Sequence, residues 1–217
     1  MYQDTLMGKN EICQKCKSTS ESKGRPLING PLPIYHVGKN FDKIEKRLLL
    51  VGALAYGWDK EIKEAESLKS SEEDRFIKYH EVLHKRFREI WNNEESRYFK
   101  IIKKCCDRIF GNEENAFNNI AITNLVRCNT GSIRDLNFQN SRWSCISLNQ
   151  NGFLAKEIEI LKPTHVAIFS TQNKYTKTFK DYYEKYPKEV VEIWEFEHPS
   201  YAGFDKTLVN LMELYNT

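Results

Sequence analysis

His198 stands in the stretch Glu197-His198-Pro199-Ser200-Tyr201-Ala202-Gly203-Phe204, directly after the β-branched and aromatic run VVEIWEF. An imidazole changes charge near neutral pH and can donate or accept a proton. Pro199 fixes the backbone beside it. The second reservoir of chemistry is sulfur: six cysteines at positions 13, 16, 105, 106, 128 and 145. Cys13 and Cys16 form a C-x-x-C, a pattern shared by redox, zinc and iron–sulfur sites. Cys128 ends the segment AITNLVRC, and Cys145 follows seventeen residues later. Two cysteines in an N-terminal arm and two on one loop can close four thiolates around a metal; the competing reading is four unrelated buried thiols. Cys105 and Cys106 fall within a helical pattern and read as small core residues. A disulfide framework is not expected in a chain of this size in a reducing compartment.

These residues need elements to position them. Four short apolar runs predict strands: RLLLVGA (47–53), NIAITNL (119–125), THVAIFS (164–170) and VVEIWEF (190–196). The first three are apolar at nearly every residue, as in strands buried on both faces. Helical stripes lie between them: Phe76, Tyr79, Leu83, Phe87, Ile90 and Trp91; then Tyr98, Ile102, Cys105 and Ile109. Leu154, Ile158 and Leu161 form a stripe that Pro163 stops. Tyr175, Phe179 and Tyr182 form another, and Leu208, Leu211, Met212 and Tyr215 close the chain. Strands alternating with helices predict an α/β fold, a three-layer α/β/α sandwich around a central four-stranded parallel sheet. Ligands of such sheets gather beyond the carboxyl ends of the strands. That rule selects the loops Gly52–Asp59, Asn124–Arg134, Ser170–Lys174 and His198–Phe204.

The 217 residues suit one domain with a well-buried core, spanning 1–217. Residues 1–40 are polar and rich in Gly, Pro and Ser, with no helix or strand period. They read as an arm that a shared metal would order. The helical stretch 60–112 is the longest connection and reads as an insertion. No apolar run approaches a membrane span, so a cytoplasmic protein without a membrane partner is expected. The net charge of +3 permits nucleic-acid binding without arguing for it.

In this order the pieces resemble the uracil-DNA glycosylase superfamily, in particular its iron–sulfur branch. CQKC looks like the first ligand pair of that branch. LLLVGALAYGW lies where the family has a strand running into its first motif. IAITNLVRC is similar to the segment carrying an asparagine and the third ligand. SCISLNQNGFLAKEIEILKPTHVAIFS resembles the fourth ligand, its helix and the next strand, and EHPSYAGF matches the second motif, His-Pro-Ser. The resemblance implies a [4Fe–4S] cluster on Cys13, Cys16, Cys128 and Cys145, with zinc as the alternative for four thiolates. It implies a DNA partner and, for the chain, a monomer.

A glycosylase flips its target base out of the helix and breaks the C1′–base bond. The resemblance gives His198 the departing base's carbonyl oxygen and Asn124 the imide edge. Gly52, Ala53, Tyr56 and Ser200 fall at positions lining the substrate. Tyr201 and Phe204 are candidate wedges into the stack, and Arg134 a candidate phosphate contact. The first motif departs from the family's Gly-Glu-Ala-Pro-Gly: the row reads Gly52-Ala53-Leu54-Ala55-Tyr56-Gly57-Trp58-Asp59, with Ala53 at the carboxylate position. Asp59 is the nearest acid and the candidate to handle water. The expected activity is monofunctional excision of a uracil-like or modified pyrimidine, a hypermodified base of phage DNA being one such substrate. The rival reading is a catalytically weak iron–sulfur DNA-binding protein of the same fold. A third is a zinc-ribbon scaffold joined to an unrelated α/β enzyme.

Overall fold

The computed structural model describes residues 34–54, 72–94, 96–126, 153–169 and 191–217. In chain order the elements are β1 (His36–Val37), β2 (Leu48–Leu54), α1 (Glu72–Asn93), α2 (Arg97–Phe110), α3 (Glu113–Asn119) and β3 (Ile120–Val126). They continue with α4 (Phe153–Leu161), β4 (His165–Phe169), β5 (Glu192–Phe196), α5 (Pro199–Ala202) and α6 (Phe204–Asn216). The sheet order is β1-β3-β2-β4-β5. Strands β3, β2, β4 and β5 are mutually parallel, while β1 runs antiparallel to β3.

The fold is α/β, and the four apolar runs are its four parallel strands. The expected four-stranded sheet needs one correction: among the described residues it has five strands. The fifth, β1, is two residues long and lies in a segment whose composition predicts no structure. It is defined by its partner and not by its own pattern. Tyr35 N–H donates to the Ile122 carbonyl at 3.2 Å, and Gly38 N–H to the Ile120 carbonyl at 2.9 Å.

Alternation along β2 divides the sheet's two faces. Leu48 and Leu50 join Ile120, Ile122, Ala167 and Phe169 on one face. Against them pack Leu83, Phe87 and Trp91 of α1, Ile102, Cys105 and Cys106 of α2, and Leu211 and Leu214 of α6. Leu49 and Val51 join Ala121, Val166 and Ile168 on the other face, covered by Leu154 and Ile158 of α4 and by Ile34 and Phe41. Full burial of each such side chain contributes about 1.5–3 kcal/mol. This explains why the central strands read as unbroken apolar runs. Cys105 and Cys106 are buried free thiols, as their place on a helical stripe implies. Burial pushes the Cys105 thiol up to about 12 and the Cys106 thiol well above its ordinary range, so both act as packing groups.

Local signals end the helices. Ser96 caps α2 by accepting the Phe99 N–H at 3.1 Å, and Gly111 at φ 85° closes its far end. Asn112 caps α3 through the Asn115 N–H at 2.8 Å. Lys162, at φ 47°, takes the last turn of α4 before Pro163. Among the described residues no helix is long and apolar enough to cross a membrane. The stripe at Tyr175, Phe179 and Tyr182 lies outside the described residues, as does nearly all of the arm.

His36 ties β1 to the helices. Its Nε2 donates to the Phe117 carbonyl at 2.6 Å, and its Nδ1 lies 3.4 Å from Nδ1 of His84 on α1. Its ring stacks on those of His84 and Phe87.

Gly38 admits no side chain. A Cβ there would overlap the Asn118 carbonyl and lie 2.8 Å from the Phe117 carbonyl oxygen. That backbone cannot step aside, because the Asn118 carbonyl also accepts the Asn40 N–H at 2.9 Å. Gly38→Ala is therefore expected to cost about 2 kcal/mol or more, the usual scale for overpacking against backbone. Urea unfolding measures this; an unchanged midpoint would show that β1 is not clamped in this way.

Candidate functional site

The carboxyl ends of the parallel strands carry the candidate site. On β3, Asn124 is half-buried beside Gly52, its register partner on β2. A Cβ on Gly52 would overlap Asn124 Oδ1. Gly52 is therefore required for space, since its absent side chain is the room that the amide occupies. From the other flank Tyr35, which is buried, accepts a hydrogen bond from Asn124 Nδ2 at 2.7 Å. This leaves Asn124 with Oδ1 as an acceptor and its second Nδ2 proton as a donor.

At the end of β5 the chain turns into α5, and His198 is its cap. Nδ1 of His198 accepts the Ser200 N–H at 3.3 Å. The His198 carbonyl accepts the N–H groups of Tyr201 and Ala202 at 2.9 and 3.1 Å. Pro199 supplies the first helical position, and Gly203 at φ 81° turns the chain into α6. With Nδ1 accepting, the proton of the neutral ring sits on Nε2, where it has no partner among the described residues. Burial lowers the pKa of His198 below the ordinary 6.5, so the neutral form prevails at pH 7.

Asn124 and His198 stand three strand spacings apart, about 14 Å at sheet level. Phe169, at the end of β4, falls between them, and Tyr98, in the first turn of α2, packs against Phe169 and His198. The Tyr98 ring lies 5.0 Å from that of His198 and 6.0 Å from that of Phe169.

The remaining expected site residues divide. Tyr201 is 73% exposed, with its ring 5.9 Å from that of His198. Phe204 packs against the core, and its carbonyl lies 3.9 Å from the Cys105 thiol. Ser200 is half-buried and contributes its backbone N–H to the histidine. Ala53 follows Gly52 on β2. Tyr56, Asp59, Arg134 and the four cysteines Cys13, Cys16, Cys128 and Cys145 lie outside the described residues. Within the described residues no group of three or more His, Cys, Asp or Glu side chains is placed to hold a metal.

Two residues in contact with these groups escape sequence reasoning. Tyr35 lies in the apparently unpatterned arm; the one available signal is its position before the short apolar pair around His36. Tyr98 occupies a helical stripe and reads there as core. Both matter because of contacts distant in sequence.

Two expectations follow from this geometry. Gly52→Ala should leave the fold intact, since the obstructing atom belongs to a side chain, but it should displace the Asn124 amide from Tyr35. A crystal structure of the variant with Asn124 unmoved would refute that. The second concerns pH. The His198 pKa is lower in the folded protein than in the unfolded chain, so the unfolded state binds more protons below 6.5. His165 acts in the same sense, through its burial first and then Lys46. Stability should fall as pH drops from about 7 to 5, and His198→Asn, which retains a capping side chain, should flatten the slope. Chemical denaturation across that range measures it; an unchanged slope in the variant would refute the assignment to His198.

Comparison of the chain with protein-family models, with curated proteins and with solved structures returns no match, so its functional reading rests on the site's residues and geometry.

Proposed function

We propose that the chain is a monofunctional DNA glycosylase that takes a flipped uracil-like or modified pyrimidine between Asn124 and His198 and hydrolyses its N-glycosidic bond. One observation carries this reading. The two groups stand at the carboxyl ends of parallel strands, each oriented by a hydrogen bond that leaves base-recognising atoms over. Asn124 keeps one acceptor and one donor, which match the N3–H and a carbonyl of an imide edge. His198 keeps Nε2–H, which suits the other carbonyl oxygen.

Water adds to C1′ as the bond to the base breaks, and the bonding pair leaves on the base nitrogen. A water proton finally resides on the free base. His198 Nε2–H helps by binding an oxygen whose negative charge grows along the reaction, so its contribution is larger in the transition state than in the ground state. The ring is neutral and fixed, which avoids reorganisation during the step. Asp59 is the candidate to handle water. Tyr201 is exposed beside His198, as a wedge into the base stack requires. Arg134 is the candidate phosphate contact. No lysine falls at a motif position, which favours hydrolysis over a Schiff-base route.

Cys13, Cys16, Cys128 and Cys145 would hold a [4Fe–4S] cluster, or zinc in its place, whose contribution is to order the arm. The topology supports this assignment. Because β1 is antiparallel to β3, Ile34, just before β1, lies toward the carboxyl end of β3. Cys128 follows the last residue of β3, Val126, by two positions in the sequence. The proposed whole is a monomeric, cytoplasmic three-layer α/β/α domain.

A panel of oligonucleotides carrying uracil and modified pyrimidines tests the activity. Alkali-labile abasic sites should appear with at least one base, and His198→Ala should slow their formation about 10²–10³-fold, the scale for losing one oriented donor. Retained DNA binding with no release from any base would favour the catalytically weak DNA-binding reading. Iron and sulfide analysis after anaerobic purification tests the cluster; stoichiometric zinc in a colourless protein would replace it.

A further inference from the structure

The Tyr98 hydroxyl is buried and has no hydrogen-bond partner among the described residues. Leaving a buried hydroxyl unsatisfied costs about 1–3 kcal/mol, and phenylalanine would fill the same volume without that cost. The ring is well held: against Phe99 at 4.9 Å, Phe169 at 6.0 Å and His198 at 5.0 Å. The hydroxyl is therefore the part of Tyr98 that packing does not explain.

Its surroundings indicate what it would bind. The phenol proton is held firmly on, first by burial and then by the neighbouring Cys106 and Tyr35. The Tyr98 ring packs against that of His198, the histidine half of the site. A neutral phenol in this position donates. The nearby Nε2–H of His198 also donates, so the His198 side of the site offers two protons and calls for a ligand rich in acceptors.

We propose that Tyr98 is a ligand-binding residue of this site, its hydroxyl donating to the same pyrimidine carbonyl oxygen that His198 Nε2–H binds, or to the adjacent ring nitrogen. The inference rests on the glycosylase reading and deepens it, because two neutral donors would then share the negative charge of the departing base. It also assigns a role to α2, which carries Tyr98 against His198.

Tyr98→Phe separates the possibilities. The variant should unfold at the same temperature as the wild type or a few degrees higher, because it removes an unsatisfied group. On the best substrate of the oligonucleotide panel, its kcat should fall about 10-fold or more with KM nearly unchanged, since the donor acts on charge that develops in the transition state. Fluorescence titration of free uracil against the protein bound to abasic-site DNA should show weaker base binding in the variant. If wild type releases base and Tyr98→Phe matches its kcat within twofold, the hydroxyl has no such role and the assignment to Tyr98 is overturned while the glycosylase reading stands. A drop of several degrees in the variant's unfolding temperature would likewise overturn it, making the hydroxyl a structural group. If wild type neither releases nor binds any base of the panel, the glycosylase reading fails and takes this inference with it.

Discussion

The amide of Asn124 occupies the space where Gly52 lacks a side chain, and the site depends on that contact. In a parallel pair, register partners lie level and project to the same face, so a residue larger than glycine at 52 would compete with Asn124 for one volume. Space alone would leave the amide free to rotate. The Tyr35 hydroxyl removes that freedom by taking one of its protons. Tyr35 can do so only because β1 lies against β3. That edge in turn depends on the side-chain-free Gly38 and on His36, which anchors it to the Phe117 carbonyl. A two-residue strand would have little stability alone, yet it secures a polar group at the strand ends.

His198 is held on a different principle. Its orientation comes from its own turn, through a bond to the N–H two residues later and a proline between them. Such a cap forms wherever the turn forms. What the tertiary structure adds is burial, which keeps the ring neutral, and the Tyr98 ring against its face. One site therefore combines a locally fixed donor with an amide fixed by contacts across the chain, and the two can be perturbed independently.

This division also explains what was legible in the sequence. Three of the four parallel strands were legible because burial on both faces demands unbroken apolar runs, as in Leu48–Val51 and Val166–Phe169, and β5 from its β-branched and aromatic residues. The helices α1, α2, α4 and α6 were legible from their stripes, and the end of α4 from Pro163. His198 was legible because its signal, a histidine before proline at a strand end, is local. Tyr35 was not: its partner is 89 residues away, and nothing in a polar stretch marks a strand defined by its neighbour. Tyr98 was masked by its own pattern, since a helical stripe has the same spacing whether its tyrosine hydroxyl serves the core or a ligand. α3 was passed over because seven residues carry too few turns to show a period.

The electrostatics of the strand ends bear on the proposed reaction. Where the family it resembles has a glutamate, this chain has Ala53, so that position of β2 carries no negative charge. Such a charge would favour the developing sugar cation but oppose the developing base anion. Among the described residues the carboxylate nearest His198 in sequence, Glu197, is exposed and paired with Lys206 at 2.9 Å. A protonated His198 would thus be an imidazolium half out of water with no such partner beside it, at a cost that burial already registers in its lowered pKa. A neutral donor avoids that cost and retains its hydrogen bond to an anion, which strengthens as charge accumulates on the acceptor. The residues that remain at this site thus favour the departing base over the sugar, and in the proposed reaction catalysis would rest chiefly on how well oriented neutral donors hold that base.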